Sequence, residues 1–211
     1  WTTSHFYRKI MTLNRRSLLY AQKTYMSICD VVNKRSLSFF TVEFDWEDDS
    51  NKRLVTKEFY DKVFHATNTH TKLITQKSVD ARIAYDLNPK FDKNGNKKSY
   101  QPCYDHVTTP QLVGRYLYEE KKHIFNYSEE GWTEFMWWFE YATNVVETTK
   151  EENTELSKLN LTKPSDEKYE IVGIILCERF EESKWINSIP TDRKFNFPQE
   201  FLDYEKKCLE N

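Results

Sequence analysis

The stretch NVVETTKEEN at residues 144–153 decides the fold of this 211-residue chain. Its apolar opening predicts a short extended segment, and the spacing Thr149-x-x-Glu152 is a capping box. The capping box predicts a helix that opens there and runs to about Leu159. Working back along the chain, residues 102–107 predict another short strand that ends at a turn. The expected order is therefore strand, strand and helix, with a long stretch of chain between the two strands.

The remainder of the chain is patterned like an α+β protein. It is 38% hydrophobic and 16% aromatic, enough for a bulky core, and no apolar run approaches the roughly 20 residues of a membrane span. Apolar spacing separates helices from strands, although residues 78–87 are ambiguous. Helices are expected over about 4–13, 16–33, 56–66, 109–122, 128–142 and 198–209, and strands over 37–46 and 169–177, the last of them central.

The glycines and cysteines exclude several function classes. The four glycines are too far apart for a phosphate-cradling loop, which excludes P-loop and Rossmann readings. The four cysteines contain no C-x-x-C pair, which disfavours a thiolate zinc site. Scattered cysteines suit a reducing compartment, and we expect a cytoplasmic protein with no membrane partner.

Charge is distributed unevenly along the chain. Residues 1–100 carry 18 Lys and Arg against 11 Asp and Glu, whereas residues 101–211 carry 13 against 22. A basic half can face a polyanion while the acidic half keeps the molecule dispersed. The other interpretation is that charge simply varies along chains.

Asp105-His106 at the end of the first strand, Asn144 before the second and Asn153 in the helix form a constellation of polar residues. It resembles the HNH nucleases of the His-Me finger (ββα-metal) superfamily, in their H-N-N form, especially homing-type and phage-encoded endonucleases. The resemblance covers residues 103–159. It implies an α+β protein with a divergent ββα-metal finger, flanked by N-terminal helices and a small sheet, in which residues 107–143 form a helical insertion where the family has a tight loop.

The resemblance implies a site that hydrolyses phosphodiester bonds. His106 would be the general base, since an imidazole titrates near neutral pH. Asp105 and Asn153 would bind one Mg²⁺, or Mn²⁺, through oxygen atoms. Asn144 would orient the base and tie the two halves of the finger. Successive residues of a strand point to opposite faces, so Asp105 and His106 can share a site only if the strand bends at its end.

The expected substrate is DNA, double-stranded rather than single-stranded, in a bacterial host that carries a phage or mobile element. Arg115, Lys150, Arg15 and Arg16 are the expected phosphate contacts. By this interpretation, the chain divides into three consecutive segments. Residues 1–100 form a basic DNA-binding or scaffold region, residues 101–162 form the catalytic core, and residues 163–211 pack on that core as a strand and a helix.

Two other functions compete with a Mg²⁺-dependent endonuclease or nickase. The first is a non-catalytic nucleic-acid-binding or phage inhibitor protein on a related fold, which would not need His106. The second is an interaction protein that buries the Trp-rich helix at residues 128–142 against a partner and has no metal dependence.

Overall fold

The fold comes from a computed structural model that describes residues 14–33, 45–66, 73–159, 163–178, 189–191, 195 and 197–210. The chain forms two compact units. The first comprises residues 1–68 and 108–144, and the second comprises residues 69–107 and 145–211. Each unit therefore combines two separate stretches of chain, whereas the division expected from the sequence is consecutive.

The described part of the chain contains both helices and strands, which confirms the α+β class. Among its helices none is long and apolar enough to cross a membrane. In chain order the elements are α1 (Arg15–Val32), α2 (Asp49–Ala66), β1 (Leu73–Thr75), α3 (Gln76–Leu87), β2 (Cys103–His106), α4 (Pro110–Glu120), a 3-10 turn (Lys122–Ile124), α5 (Glu129–Ala142), β3 (Val145–Thr148), α6 (Lys150–Leu159), α7 (Lys168–Ile171), β4 (Leu176–Glu178), β5 (Ile189–Pro190) and α8 (Gln199–Leu209).

The first unit packs helices around an aromatic core. Phe59 of α2 meets two α5 rings edge-on, with centroids 5.9 Å from Phe135 and 5.8 Å from Phe139. Edge-to-face pairs of this kind are favourable beyond the area they bury. Helix α5 begins at Ser128, whose side chain accepts a hydrogen bond from the Gly131 N–H at 3.0 Å, as N-cap serines do.

The second unit is built on a five-stranded mixed sheet with strand order β2-β3-β1-β4-β5. β2 pairs antiparallel with β3, β3 pairs parallel with β1, and β4 pairs antiparallel with both β1 and β5. β1 is therefore the central strand.

Helices cover both faces of this sheet, and the strand register shows which residues belong to each face. Ile74 and Cys177 pack with Val79 of α3, so we call their side the α3 face. Val107 and Val146 pack with Leu156 of α6 on the other side, which we call the α6 face. Residues directly opposite in adjacent strands share a face.

Several expectations about secondary structure need correction. The central strand expected over residues 169–177 is wrong, because the chain there forms α7, a turn at Gly173 with φ +68° and then the short β4. Helix α2 begins at Asp49 rather than near Thr56. The ambiguous residues 78–87 belong to α3. Other expected helices match within about two residues, and the helix expected over residues 4–13 and most of the strand expected over 37–46 lie outside the described residues.

Replacing Gly131 by alanine should destabilise the first unit. A Cβ there would collide with the Ile124 carbonyl oxygen and would lie 2.8 Å from Asn126 Oδ1 and 2.9 Å from the Tyr25 hydroxyl. We expect a loss of roughly 1–3 kcal/mol in unfolding free energy, measured by urea denaturation. Gly114→Ala is the matched control, since its nearest neighbours would lie at 3.1–3.4 Å. An equal loss for both variants would contradict the packing described for Gly131.

Candidate functional site

Strand pairing joins the two parts of the HNH-like pattern. In the antiparallel register His106 lies opposite Val145 and Asp105 lies opposite Val146. Asn144 directly precedes Val145 in the chain, so it comes just before β3 at the level where β2 ends. The two strands are therefore neighbours even though a long helical segment separates them in sequence.

The expected capping box at the start of α6 is confirmed. The Thr149 N–H donates to Glu152 Oε2 at 3.0 Å, and the Glu152 N–H donates to Thr149 Oγ1 at 3.2 Å. The buried Glu152 carboxylate also accepts a hydrogen bond from Thr75 Oγ1 at 2.6 Å, which fastens α6 to β1. Asn153 follows Glu152 in the first turn of the helix and is half-buried. α6 packs against β2.

The Asp105 carboxylate is buried in a network of its own. Only 4% of the residue is exposed. Its Oδ2 lies 2.8 Å from the Lys168 ammonium and accepts a hydrogen bond from the Tyr169 hydroxyl at 2.6 Å. The same ammonium donates to the His106 carbonyl oxygen at 2.6 Å. Lys168 is itself 1% exposed, so β2 and α7 are joined by a buried ion pair with two further hydrogen bonds.

Burial shifts the pKa values of Lys168 and Tyr169 in the directions expected for buried groups. Loss of solvation lowers the pKa of Lys168, and the nearby Asp105 and Glu205 carboxylates act in the opposite direction. Burial, reinforced by the charge of Asp105, raises the pKa of Tyr169 well above its ordinary value. The phenol therefore stays protonated and donates its hydrogen bond throughout the physiological pH range.

Asp105 and His106 occupy opposite faces of the sheet. Asp105 pairs with Val146, which belongs to the α6 face. Because side chains alternate along a strand, His106 projects from the α3 face. The helix that carries Asn153 packs on the α6 face. The structure therefore groups Asp105 with the Asn153 helix, and it groups His106 with the start of β3.

The Asp105 environment does not fit a resident Mg²⁺. A Mg²⁺ ion binds carboxylate oxygen at about 2.0–2.1 Å and keeps several waters. The described Oδ2 is already approached by an ammonium and a phenol, in a site almost closed to solvent. Within the described residues, no group of three or more His, Cys, Asp and Glu side chains is placed to hold a metal ion. The ion expected from the resemblance stays a prediction, and the ββα-metal finger is not confirmed.

The four expected phosphate contacts lie on both units. Arg15 and Arg16 open α1 in the first unit and line a cleft of about 430 Å³. Arg115, also in the first unit, is ion-paired to Glu119 at 3.0 Å, which reduces its availability. Lys150 is exposed at the first residue of α6 in the second unit.

Two paired cations, the buried Lys168 and the half-buried Arg82, were not expected from the sequence. Lys168 directly precedes the segment 169–177, whose apolar pattern predicts a strand. Arg82 lies in the ambiguous helix α3 and forms a two-pronged ion pair with Glu147 of β3, with Nη2 2.7 Å from Oε2. Glu147 was the one available signal in the sequence. An acidic residue in a strand that is buried on both faces needs a partner, because an unpaired buried charge is costly.

Comparison with known proteins finds no matching family model, no matching curated protein and no matching solved structure. Arguments about function therefore depend on the site itself.

Removing the Asp105 charge should strongly destabilise the second unit. Asp105→Asn leaves the Lys168 ammonium buried beside a neutral amide, and breaking one partner of such a pair costs about 3–5 kcal/mol. Tyr169→Phe removes one hydrogen bond to a charged group and should cost about 2 kcal/mol. Urea denaturation at pH 7 measures both losses.

Asp86→Asn is the matched control for this series. Its carboxylate lies 3.4 Å from Lys97, but the two side chains are 60% and 51% exposed. An exposed pair of this kind contributes at most about 1 kcal/mol. If Asp105→Asn costs no more than this control, the Asp105 network is not the buried pair described above.

Proposed function

We propose that this protein cleaves phosphodiester bonds in DNA as an HNH-type endonuclease or nickase, with His106 as the general base. The observation that carries the proposal is the antiparallel register of β2 and β3. That register sets His106 at the strand end, opposite Val145. The capped helix α6 follows directly and packs on β2. This is the order of strand, strand and helix that the resemblance implies.

The proposed reaction uses the His106 imidazole as a proton acceptor. The imidazole takes a proton from water, and the water oxygen bonds to phosphorus as the P–O3′ bond breaks. The departing 3′-oxygen takes a proton from solvent, and the imidazolium of His106 returns its proton to solvent, so protons and charge balance and the base is regenerated. His106 is half-buried at the end of its strand.

No step of this reaction is assigned to a bound metal. The resemblance would give Asp105 and Asn153 a Mg²⁺ ion, but Asp105 is committed to Lys168 and Tyr169. The metal requirement is therefore a separate question from the identity of the base, and the experiment treats it separately.

A second candidate function is supported by the same ion pair. A non-catalytic nucleic-acid-binding protein on a related fold would have no use for a metal, and a lysine ammonium beside Asp105 suits such a protein. It would bind DNA without cutting it and would tolerate the loss of His106.

A plasmid assay distinguishes the two candidates. We expect the purified protein to nick or linearise supercoiled plasmid in Mg²⁺. His106→Ala should lower the rate at least about 100-fold, the lower range for loss of a general base. His123→Ala is the matched control, because its imidazole is 67% exposed and lies in the first unit. Gel mobility of the plasmid topoisomers measures the rate, and circular dichroism confirms that each variant folds.

Each result has a defined meaning. Cleavage that His106→Ala leaves unchanged would remove His106 as the base. Binding of plasmid without cleavage, under Mg²⁺ and Mn²⁺, would favour the second candidate. Parallel reactions in EDTA test whether cleavage requires a metal ion. The resemblance predicts complete loss of cleavage, whereas a site in which Asp105 is committed to Lys168 predicts no change.

A further inference from the structure

A basic, aromatic cavity of about 350 Å³ lies between α3 and the segment that leads into β2. Its size is within the range of small-ligand pockets. The lining residues used here are Arg82, Tyr85, Asp86, Lys97, Lys98 and Tyr100. They bring three cations and one carboxylate. Arg82 is balanced by Glu147 behind it and Lys97 lies 3.4 Å from Asp86, so a single positive charge, that of Lys98, is left over.

The inner wall of the cavity is rigidly held. The Arg82 guanidinium is anchored by its ion pair with the buried Glu147 and lies 4.7 Å from the centre of the Tyr100 ring. The Tyr100 and Tyr85 rings have centroids 5.7 Å apart. The Tyr85 hydroxyl donates to the Lys98 carbonyl oxygen. The Lys97 ammonium lies 5.7 Å from the centre of the Tyr85 ring, so the two neighbouring rings each have a cation over one side.

The outer wall is a tight turn that presents lysines. Asp92 accepts hydrogen bonds from the backbone N–H groups of Asn94 and Asn96, both at 2.8 Å. Gly95 has φ +78°, a conformation that favours glycine. An isolated bridge joins Phe91 to Lys97 and closes the turn. The exposed lysines of this segment are Lys90, Lys93, Lys97 and Lys98.

The cavity lies on the same sheet face as His106. Arg82 contacts Glu147, and Glu147 lies opposite Tyr104 in the β2–β3 register. Tyr104 and His106 are two residues apart on one strand, so they share a face. A chain that occupied the cavity could continue along this face toward His106.

We infer that this cavity binds one nucleotide of a nucleic-acid strand, with its phosphate at Lys97 and Lys98 and its base against Tyr85. Cations that follow the backbone and aromatic rings that stack on bases are the two elements of such sites. The inference rests on the proposed function, because it makes the cavity the place where the strand next to the scissile phosphate is held. It assigns recognition to the α3 face of the second unit.

Binding can be measured without cleavage by using the His106→Ala protein throughout. Fluorescence anisotropy of a labelled 20-nucleotide single strand gives the affinity at several salt concentrations. Adding Lys97→Glu and Lys98→Glu should weaken binding at least about tenfold at 0.1 M salt and lower the salt slope by about 1.4, the value for two phosphate contacts. Adding Tyr85→Leu should weaken binding about tenfold and leave the salt slope unchanged.

The matched control is Lys206→Glu with Lys207→Glu, which reverses two adjacent exposed lysines on α8 of the same unit. This control should bind within about twofold of the parent, since its lysines lie outside the cavity. Thermal melting verifies that each variant folds, and the Tyr85 variant tests the site if the charge reversals do not fold.

Three results would overturn the inference. One is parent-like binding by both cavity variants. Another is equal weakening by the α8 control. The last is competition by polyglutamate as effective as competition by unlabelled DNA, which would show a general polyanion surface. None of these concerns cleavage, so the nuclease proposal succeeds or fails separately in the plasmid assay.

Discussion

The alternation of side chains along β2 is the constraint on which the functional interpretation depends. Asp105 and His106 are neighbours in the chain, yet one joins the core under α6 and the other projects from the α3 face. Consecutive strand residues cannot serve a single small site unless the strand bends sharply. β2 keeps its ladder with β3 through His106, so both residues still lie within regular pairing. The two residues therefore have separate surroundings, and the partners of Asp105 on its face are Lys168 and Tyr169 of α7.

Buried carboxylates connect the sheet of the second unit to its helices, and each has a different set of partners. Asp105 joins β2 to α7 through Lys168, and Glu147 joins β3 to α3 through Arg82. Glu152 joins α6 to β1 through Thr75. On α8, Glu205 accepts hydrogen bonds from the backbone and side chain of Ser165, at 2.9 and 2.6 Å.

Such groups add little net stability over apolar side chains of the same shape, but leaving one unpartnered is costly. They consequently penalise any arrangement in which a helix slides or turns away from its partner. In a unit whose strands have only two to four residues, this penalty supplements a short hydrogen-bond ladder. The positions of α3, α6, α7 and α8 are thereby determined by polar contacts as well as by apolar packing.

Local chemistry explains which elements the sequence predicts well. Thr149 and Glu152 lie three residues apart and satisfy each other, so the start of α6 is readable without the fold. Ser128 and the aromatic residues after it predict α5 in the same way. The apolar run at residues 169–177 has no such marker, and a continuous apolar stretch fits a buried strand and a buried helix equally. Gly173, which adopts a positive φ, was the residue of this run that indicated a break in the strand.

The candidate site could be predicted only in part from the sequence, for the same reason. The order of Asp105, His106, Asn144 and Asn153 follows from sequence, whereas the β2–β3 register is known only from the structure. The partner of Asp105 could not be predicted either, because Lys168 is 63 residues further on and reaches Asp105 only through the placement of α7. A lysine that follows Asp166 and Glu167 ordinarily signals an exposed position, since few lysines are fully buried. Only the folded structure shows that Lys168 is buried and neutralises the Asp105 carboxylate.

The distribution of cations then distinguishes the two faces of the sheet as surfaces for a polyanion. On the α6 face the Lys168 ammonium is enclosed and already balanced by Asp105, so it offers no attraction at the surface. On the α3 face, lysines of the turn before β2 remain exposed beside Arg82. Exposed cations attract phosphates over about a Debye length, roughly 8 Å at physiological salt. A nucleic-acid strand drawn by them would therefore arrive on the face that carries His106, and Asp105 would contribute to that surface only by holding its strand in place.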